Sequence, residues 1–305
     1  MKLNIGIVGI GNIGSIHYRI YKHIKEIGKI YLADINPKAT KRFKEESFSD
    51  YTRLLGKVNL VSIAAPTSTH YNIASFFLRN KVPVLVEKPI TASIKEASRL
   101  ISLSKKNNTL LFVGHVERYN NAYIAIKRII RGPKFIECHR LNPYPYRSLD
   151  ISVVLDLMIH DIDIILDLVK TDVKKVAAKG VKVLSNTEDI ANARLTFENG
   201  CIANITSSRI SAKKERKIRI FMRNCYISMD YAQQKVEIYK KVRKAILKKT
   251  LPINKEQPLK KEIHEFINLV KKGNVSALYA EKAKNALALS LRIQRTIGKD
   301  NAGLE

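Results

Sequence analysis

Along the first third of the chain, two hydrophobic periods take turns. Short apolar blocks rich in Val, Ile and Leu recur at 3–8, 29–34, 58–64, 82–87 and 109–114, the pattern of strands buried on both faces. Between them, 13–26, 69–80 and 93–106 carry apolar residues three and four apart, the helical period. A shorter helix starts at Pro37, where the missing amide hydrogen costs nothing. Ser93 with Glu96 three residues on is a capping-box start. Strict strand–helix alternation predicts a parallel, doubly wound sheet with ligands at the carboxyl ends of its strands.

The pattern changes after Tyr119. A helix is expected over 121–131, a strand over 134–141 after Gly132-Pro133, a loop at Asn142-Pro143-Tyr144-Pro145-Tyr146, and a long helix over about 150–170. Strand signals then follow one another at 173–183, 190–198, 201–209, 216–223, 225–230 and 235–240, with the hairpin turn Asn199-Gly200 between two of them. Two helices, 258–272 and 279–296, close the chain. Consecutive strands suit a largely antiparallel, open sheet with one helical face. The expected organisation is a domain over 1–118 and a second, α+β domain over 119–305, whose last helices can pack back on the first. A length of 305 residues fits two domains.

Composition narrows the class. The chain is 45% hydrophobic, yet its most apolar stretch, Ile151 to Val169, is interrupted by Asp156, His160, Asp161, Asp163 and Asp167, so a membrane-spanning helix is not expected. The N-terminus enters a strand at once, without a signal-peptide pattern. Cys138, Cys201 and Cys225 lack metal-ligand spacing and are odd in number, which favours a reducing, cytoplasmic setting over a disulfide framework or a metal site. The net charge of +28 is large. Much of it lies in Ala212-Lys213-Lys214-Glu215-Arg216-Lys217 and in Lys240-Lys241-Val242-Arg243-Lys244-Ala245-Ile246-Leu247-Lys248-Lys249. Such runs suit either a lysine-rich solvated surface or an anionic partner. No nucleic-acid-binding motif accompanies them, so specific nucleic-acid binding is not expected.

Chemistry gathers at strand ends. Gly9-Ile10-Gly11-Asn12-Ile13-Gly14 follows the first strand and opens a helix. Gly9 makes the tight turn, Gly11 lets backbone approach a pyrophosphate, and Gly14 lets helix and strand pack closely, while the amides of Asn12 and Ile13 face the phosphates. Asp34 ends the second strand, where a carboxylate accepts from ribose hydroxyls and repels a 2′-phosphate, favouring NAD over NADP. Ala65-Pro66-Thr67 follows the third strand, with Thr67 a candidate helix cap and His70 either a cofactor contact or an ordinary first-turn histidine. Glu87-Lys88-Pro89 follows the fourth strand. An ammonium at Lys88 can stabilise a developing alkoxide, and Pro89 is suited to a cis bond. Asp156, His160 and Asp163 share one face of the 150–170 helix. A carboxylate-flanked histidine there is either a satisfied core residue or a base for proton abstraction near neutral pH.

Taken together, these motifs resemble the Gfo/Idh/MocA family, the group of glucose–fructose oxidoreductase and inositol dehydrogenase. The resemblance rests on Gly9–Gly14, Ala65-Pro66-Thr67 with His70, Glu87-Lys88-Pro89, Gly114-His115-Val116-Glu117-Arg118-Tyr119-Asn120, and Asp156 with His160, and covers nearly the whole chain. It implies a Rossmann domain followed by an open-sheet domain, an NAD(P)-dependent dehydrogenase acting on a sugar or cyclitol hydroxyl, and a homo-oligomer, dimer or tetramer. Lys88 and His160 are then the catalytic pair, supported by Asp156. Glu87 and Lys88 join the residues around the cofactor, and Arg118, Tyr119 and Arg147 join Lys88, Asp156 and His160 around the substrate. Two positions depart from the family pattern. Asp150-Ile151-Ser152-Val153-Val154-Leu155 lacks the usual glycines, and Asn121 stands where proline is common. The stretches 146–150, 156–163 and 114–118 look most like the subgroup that oxidises the 3-hydroxyl of UDP-N-acetylglucosamine. The other readings are a dehydrogenase of a free sugar or inositol, and a non-catalytic NAD-binding or nucleic-acid-binding protein.

Overall fold

The computed structural model describes residues 2–144 and 151–302, with side chains to residue 298. The chain divides into two compact units. The first comprises residues up to His115 together with Leu259–Asn285. Its strands are β1 (Leu3–Val8), β2 (Ile27–Ala33), β3 (Ser47–Phe48), β4 (Leu60–Ile63), β5 (Val84–Glu87) and β6 (Leu111–Gly114). All pair in parallel, in the order β3-β2-β1-β4-β5-β6. This is the doubly wound order, with its switch point between β1 and β4. Ile5, Ile7, Leu60, Val61, Val84 and Leu85 are fully buried, as strands covered on both faces require.

The connecting helices are α1 (Asn12–Lys22), α2 (Pro37–Thr40), α3 (Thr67–Arg79) and α4 (Ile94–Lys106). The Ser93–Glu96 capping box opens α4, and Asn36 caps α2 ahead of Pro37. Thr67 is already the first residue of α3, and Pro66 takes the cap position without a side-chain bond. Within the same unit Phe112 of β6 packs on Phe266 and Tyr279, with ring centroids 5.7 and 4.7 Å away.

The second unit comprises Val116–Pro258 and the chain from Ala286. It contains α5 (Asn121–Lys127), β7 (Phe135–Leu141), a π-helical turn at Val154–Met158, and α6 (Ile159–Val169). Then come β8 (Val173–Val181), β9 (Ile190–Phe197), β10 (Ile202–Ser208), β11 (Glu215–Met222), β12 (Cys225–Asp230), β13 (Lys235–Val242) and β14 (Ala245–Leu251). The sheet order is β14-β13-β12-β11-β7-β10-β9-β8. Only β7 and β10 pair in parallel; the other neighbours are antiparallel. One face carries Ile136, Cys138, Ile205, Ile218, Ile220 and Ile227 into a core shared with Ile162 and Ile165 of α6 and with Ile293 and Ile297. The last two lie on α8 (Leu278–Ala302), which follows α7 (Pro258–Lys271).

Three local expectations are corrected. The helix read over 121–131 ends at Lys127. The Lys240–Lys249 run is not merely a charged surface: it turns a hairpin, and its second half is the edge strand β14. Lys240 to Thr250 are all exposed, so neither face shows the apolar alternation that marks a strand, and the lysines blunt the open edge. The expected helix over 150–170 is interrupted, with the π turn before α6.

Candidate active site

The glycine loop sits at the switch point. Gly9 adopts φ +85°, and a Cβ there would lie 2.6 Å from the Ala65 nitrogen. A Cβ on Gly14 would lie 1.9 Å from the Gly9 carbonyl oxygen. A Cβ on Gly11 would meet nothing within 4 Å, so the loop is closed against its own backbone and open outward. Gly11 is the N-cap of α1, with no side-chain cap, and Gly11, Asn12 and Ile13 are exposed. Uncapped first-turn amides facing outward fit a pyrophosphate. Gly14→Ala should force the loop and helix apart and weaken NADH binding about tenfold or more, since overpacking of this kind costs about 1–3 kcal/mol. A fluorescence titration with NADH reads the loss.

Asp34 is pinned beside this loop. Its Oδ2 accepts from the Ile10 amide at 2.7 Å and its Oδ1 from the Asn36 amide at 2.8 Å. A carboxylate has about four acceptor positions, so capacity remains for ribose hydroxyls. Arg42, not singled out in the sequence, donates to Ser15 Oγ at 2.5 Å and to the Ile10 carbonyl at 3.3 Å. It buttresses the loop from behind, and nothing near it in the sequence signals this.

A second layer joins the strand-end loops. His70 is buried on α3. Its Nδ1 lies 2.9 Å from the Pro89 carbonyl and its Nε2 2.8 Å from the Ala65 carbonyl. Burial lowers its pKa against the pull of these carbonyls; the neutral ring, with one N–H, donates to one of them at a time and sits packed between Ala65-Pro66-Thr67 and the segment after Lys88. The Lys88–Pro89 bond is cis. Glu87, at the end of β5, meets His17 Nε2 at 3.1 Å, and His17 Nδ1 meets Ser62 Oγ at 2.7 Å. Burial pushes the Glu87 carboxyl up, but the His17 hydrogen bond and the charges of His17, Lys88 and His70 outweigh it and hold it below its ordinary value. The Glu87 carboxylate is thus a fixed negative charge next in sequence to the half-buried Lys88. His17 lies three residues after the last loop glycine and follows the apolar face of α1, so the sequence did not distinguish it from core.

In the second unit Asp156 lies in the π turn and His160 in the first turn of α6, both half-buried. A π turn inserts one residue into the helical spiral and is frequent at functional sites. Asp163, three residues after His160 on α6, is held by an arginine. Both of its carboxylate oxygens take the Arg118 guanidinium, at 2.7 and 2.8 Å. Arg118 also reaches Asp167 at 3.0 Å, and Asp167 is bonded to Lys127 and Tyr123. The fork of Arg118 holds Asp163 and Asp167 of α6, so the arginine expected from the sequence to orient substrate also braces this helix. Burial lowers the pKa of Arg118, but Asp163 and Asp167 outweigh it and raise the value. Tyr119 is half-buried in the short turn Val116–Tyr119. Arg147 lies outside the described residues.

One further pair seats α6. Arg140 of β7 is 2% exposed and donates through Nε and Nη2 to Asp161 at 2.8 and 2.9 Å, and through Nη1 to Glu117 at 3.0 Å. Asp161 follows His160 directly, so this buried fork fixes the start of the helix that bears the histidine. Among the described residues, no group of three or more His, Cys, Asp or Glu is placed to hold a metal ion. No helix among them is long and apolar enough to cross a membrane.

An open glycine loop at a helix start, a strand-end carboxylate beside it and Lys88 at a neighbouring strand end are the features of a dinucleotide-dependent oxidoreductase. Residues 3–115 match the oxidoreductase family with an NAD-binding Rossmann fold, and residues 133–228 match the GFO/IDH/MocA C-terminal domain. The chain is 30% identical to the UDP-N-acetylglucosamine 3-dehydrogenase of Acidithiobacillus ferrooxidans, over 96% of this chain and 97% of that one. A solved structure of that enzyme superposes with a TM-score of 0.90, covering 97% of this chain and 98% of the other at 29% identity. The myo-inositol 2-dehydrogenase of Thermotoga maritima is 24% identical over 97% of this chain and 96% of its own. The chain belongs to the Gfo/Idh/MocA oxidoreductase family and is an NAD-binding sugar dehydrogenase of that family.

Proposed function

We propose that the protein oxidises a secondary hydroxyl of a nucleotide-activated amino sugar, the 3-hydroxyl of UDP-N-acetylglucosamine, to the 3-keto sugar. The observation that carries this is the end-to-end similarity to the Acidithiobacillus ferrooxidans enzyme of that name. NAD, when bound, supplies the hydride acceptor. Gly9, Gly11, Asn12, Ile13 and Gly14 hold its pyrophosphate, and Asp34 the adenosine ribose. Ala65, Pro66, Thr67, Glu87 and Lys88 line the remainder, with His70 tying their loops together. His160, assisted by Asp156, removes the hydroxyl proton, and the Lys88 ammonium stabilises the alkoxide as it forms. Tyr119 joins the substrate contacts.

A steady-state assay of NADH formation with UDP-N-acetylglucosamine, free N-acetylglucosamine and myo-inositol tests the substrate. Preference for the nucleotide sugar supports the proposal; preference for inositol, in line with the Thermotoga maritima relative, replaces it.

The outer face of the second sheet supports self-association. Phe135, Phe221, Tyr226 and Tyr239 form a continuous aromatic row across neighbouring strands, with Tyr226 and Tyr239 stacked at 4.3 Å. An aromatic row on a sheet face away from the core suits a protein interface. Tyr226→Asp should therefore shift the mass in light scattering from a dimer or tetramer towards monomer; an unchanged mass would place the interface elsewhere.

A further inference from the structure

The sheet row that carries Arg140 holds a second arginine. Arg140 on β7 is in register with Arg216 on β11 on one side and with Ser207 on β10 on the other. The Arg216 carbonyl accepts from the Tyr231 amide at 2.9 Å, so Tyr231 continues the row. Strand parity puts these four residues on the face that bears Cys138, Ile205, Ile218 and Met229, all fully buried. Two guanidinium groups thus stand opposite each other on adjacent strands, where like charges are destabilising.

The charges of Asp161 and Glu117 act on both arginines, but their hydrogen bonds go to Arg140 and Asn120. Asp161 gives both oxygens to Arg140. Glu117 gives Oε1 to Arg140 and Oε2 to Asn120 Nδ2. The buried Nε of Arg216 has no hydrogen-bond partner among the described residues. Ser207 Oγ and Tyr231 Oη, in the same row, are likewise buried without one. Burial first, and then the neighbouring Arg140, outweigh the pull of Glu117 and Asp161 and hold the Arg216 guanidinium below its ordinary pKa. The fold thus carries a part-buried cation whose Nε donor is unmet, and such groups are costly to a stable structure. That cost is expected where the acceptor comes from outside.

The geometry points to Arg216 as an anion-binding residue for a phosphate of the substrate's diphosphate, the guanidinium being suited to bidentate phosphate contact. The row lies at the end of the sheet where Arg140 holds Asp161, the residue after His160. A phosphate at Arg216 would therefore be recognised at the same end of this unit as the proposed base. This inference rests on the nucleotide-sugar reading for its ligand class. Arg216 belongs to the basic run 212–217, whose charge the sequence left without a partner.

The test uses the full chain with NADH present, and UDP as the probe. Isothermal titration of wild type, Arg216→Met and Arg216→Lys is combined with thermal melts and with the KM for UDP-N-acetylglucosamine. Loss of a charge-assisted hydrogen bond predicts UDP binding about 10- to 100-fold weaker in Arg216→Met, with partial recovery in Arg216→Lys. KM should rise while kcat holds, and the melting temperature should stay or increase, because an unmet buried charge is removed. Equal UDP binding in wild type and Arg216→Met, or none in wild type, overturns the site. A lowered melting temperature that tracks the binding loss also overturns it, making the arginine structural. If a free sugar proves to be the substrate while UDP still binds through Arg216, the nucleotide-sugar reading fails and the anion site stands.

Discussion

Replacing Lys88 with methionine is expected to lower kcat by about 10²–10³-fold, the usual loss when one group stabilising a developing oxyanion is removed. NADH binding should stay within a few-fold of wild type. Methionine keeps an unbranched side chain of similar length and removes the ammonium, while the hydrogen bonds of Glu87 with His17 and of the His70 ring stay in place. His160→Asn should lose about 10²–10⁴-fold, the contribution of a positioned base. Steady-state NADH formation gives the rates, and fluorescence titration with NADH gives the cofactor affinity. Turnover near that of wild type in either variant would take that residue out of the chemistry. A parallel loss of NADH binding in Lys88→Met would instead make the lysine a cofactor contact alone.

The parts of this site legible in the sequence are those where local chemistry and backbone demand coincide. Gly9 and Gly14 announce themselves because a Cβ would collide with backbone, and Asp34 because it ends a strand beside them. The longer strands of the first sheet were readable because most of their residues are apolar and buried on both faces. β14 was not, because it is exposed on both faces and its alternation carries lysine where a buried strand would carry valine. β3, two residues long, is too short for any period to register.

Tertiary partnership was the harder part to read. Asp163 sits seven residues after Asp156, a spacing that places both on one face of a regular helix, but the π turn shifts that face. Arg118, distant in sequence and close in space, then claims Asp163. The same limit hid His17, whose helical position reads as core and whose two polar partners, Ser62 and Glu87, arrive from other strands. Ionic pairing across strands and helices leaves no periodic trace, so an arginine met in a sequence cannot be divided between brace and ligand until its carboxylates are located.

Arg140 shows what such a brace is worth. Arg140→Met is expected to destabilise the protein by about 3–5 kcal/mol, because it strands Asp161 and Glu117 in the interior without their shared cation. The lowered urea midpoint should be largely recovered in a variant that also carries Asp161→Asn and Glu117→Gln, since neutral, similarly shaped groups remove most of the cost of the unpaired charges. Activity should part company with stability in that triple variant. The fork that seats Asp161, and with it the first turn of α6, would still be missing, so kcat should remain depressed even when the midpoint returns. Recovery of both together would mean that packing alone holds His160 in place and that the buried ion pair serves only to offset its own charges. Recovery of the midpoint alone would mean that the directional fork, two parallel N–H bonds onto one carboxylate, sets the orientation of the helix start that the proposed proton transfer needs.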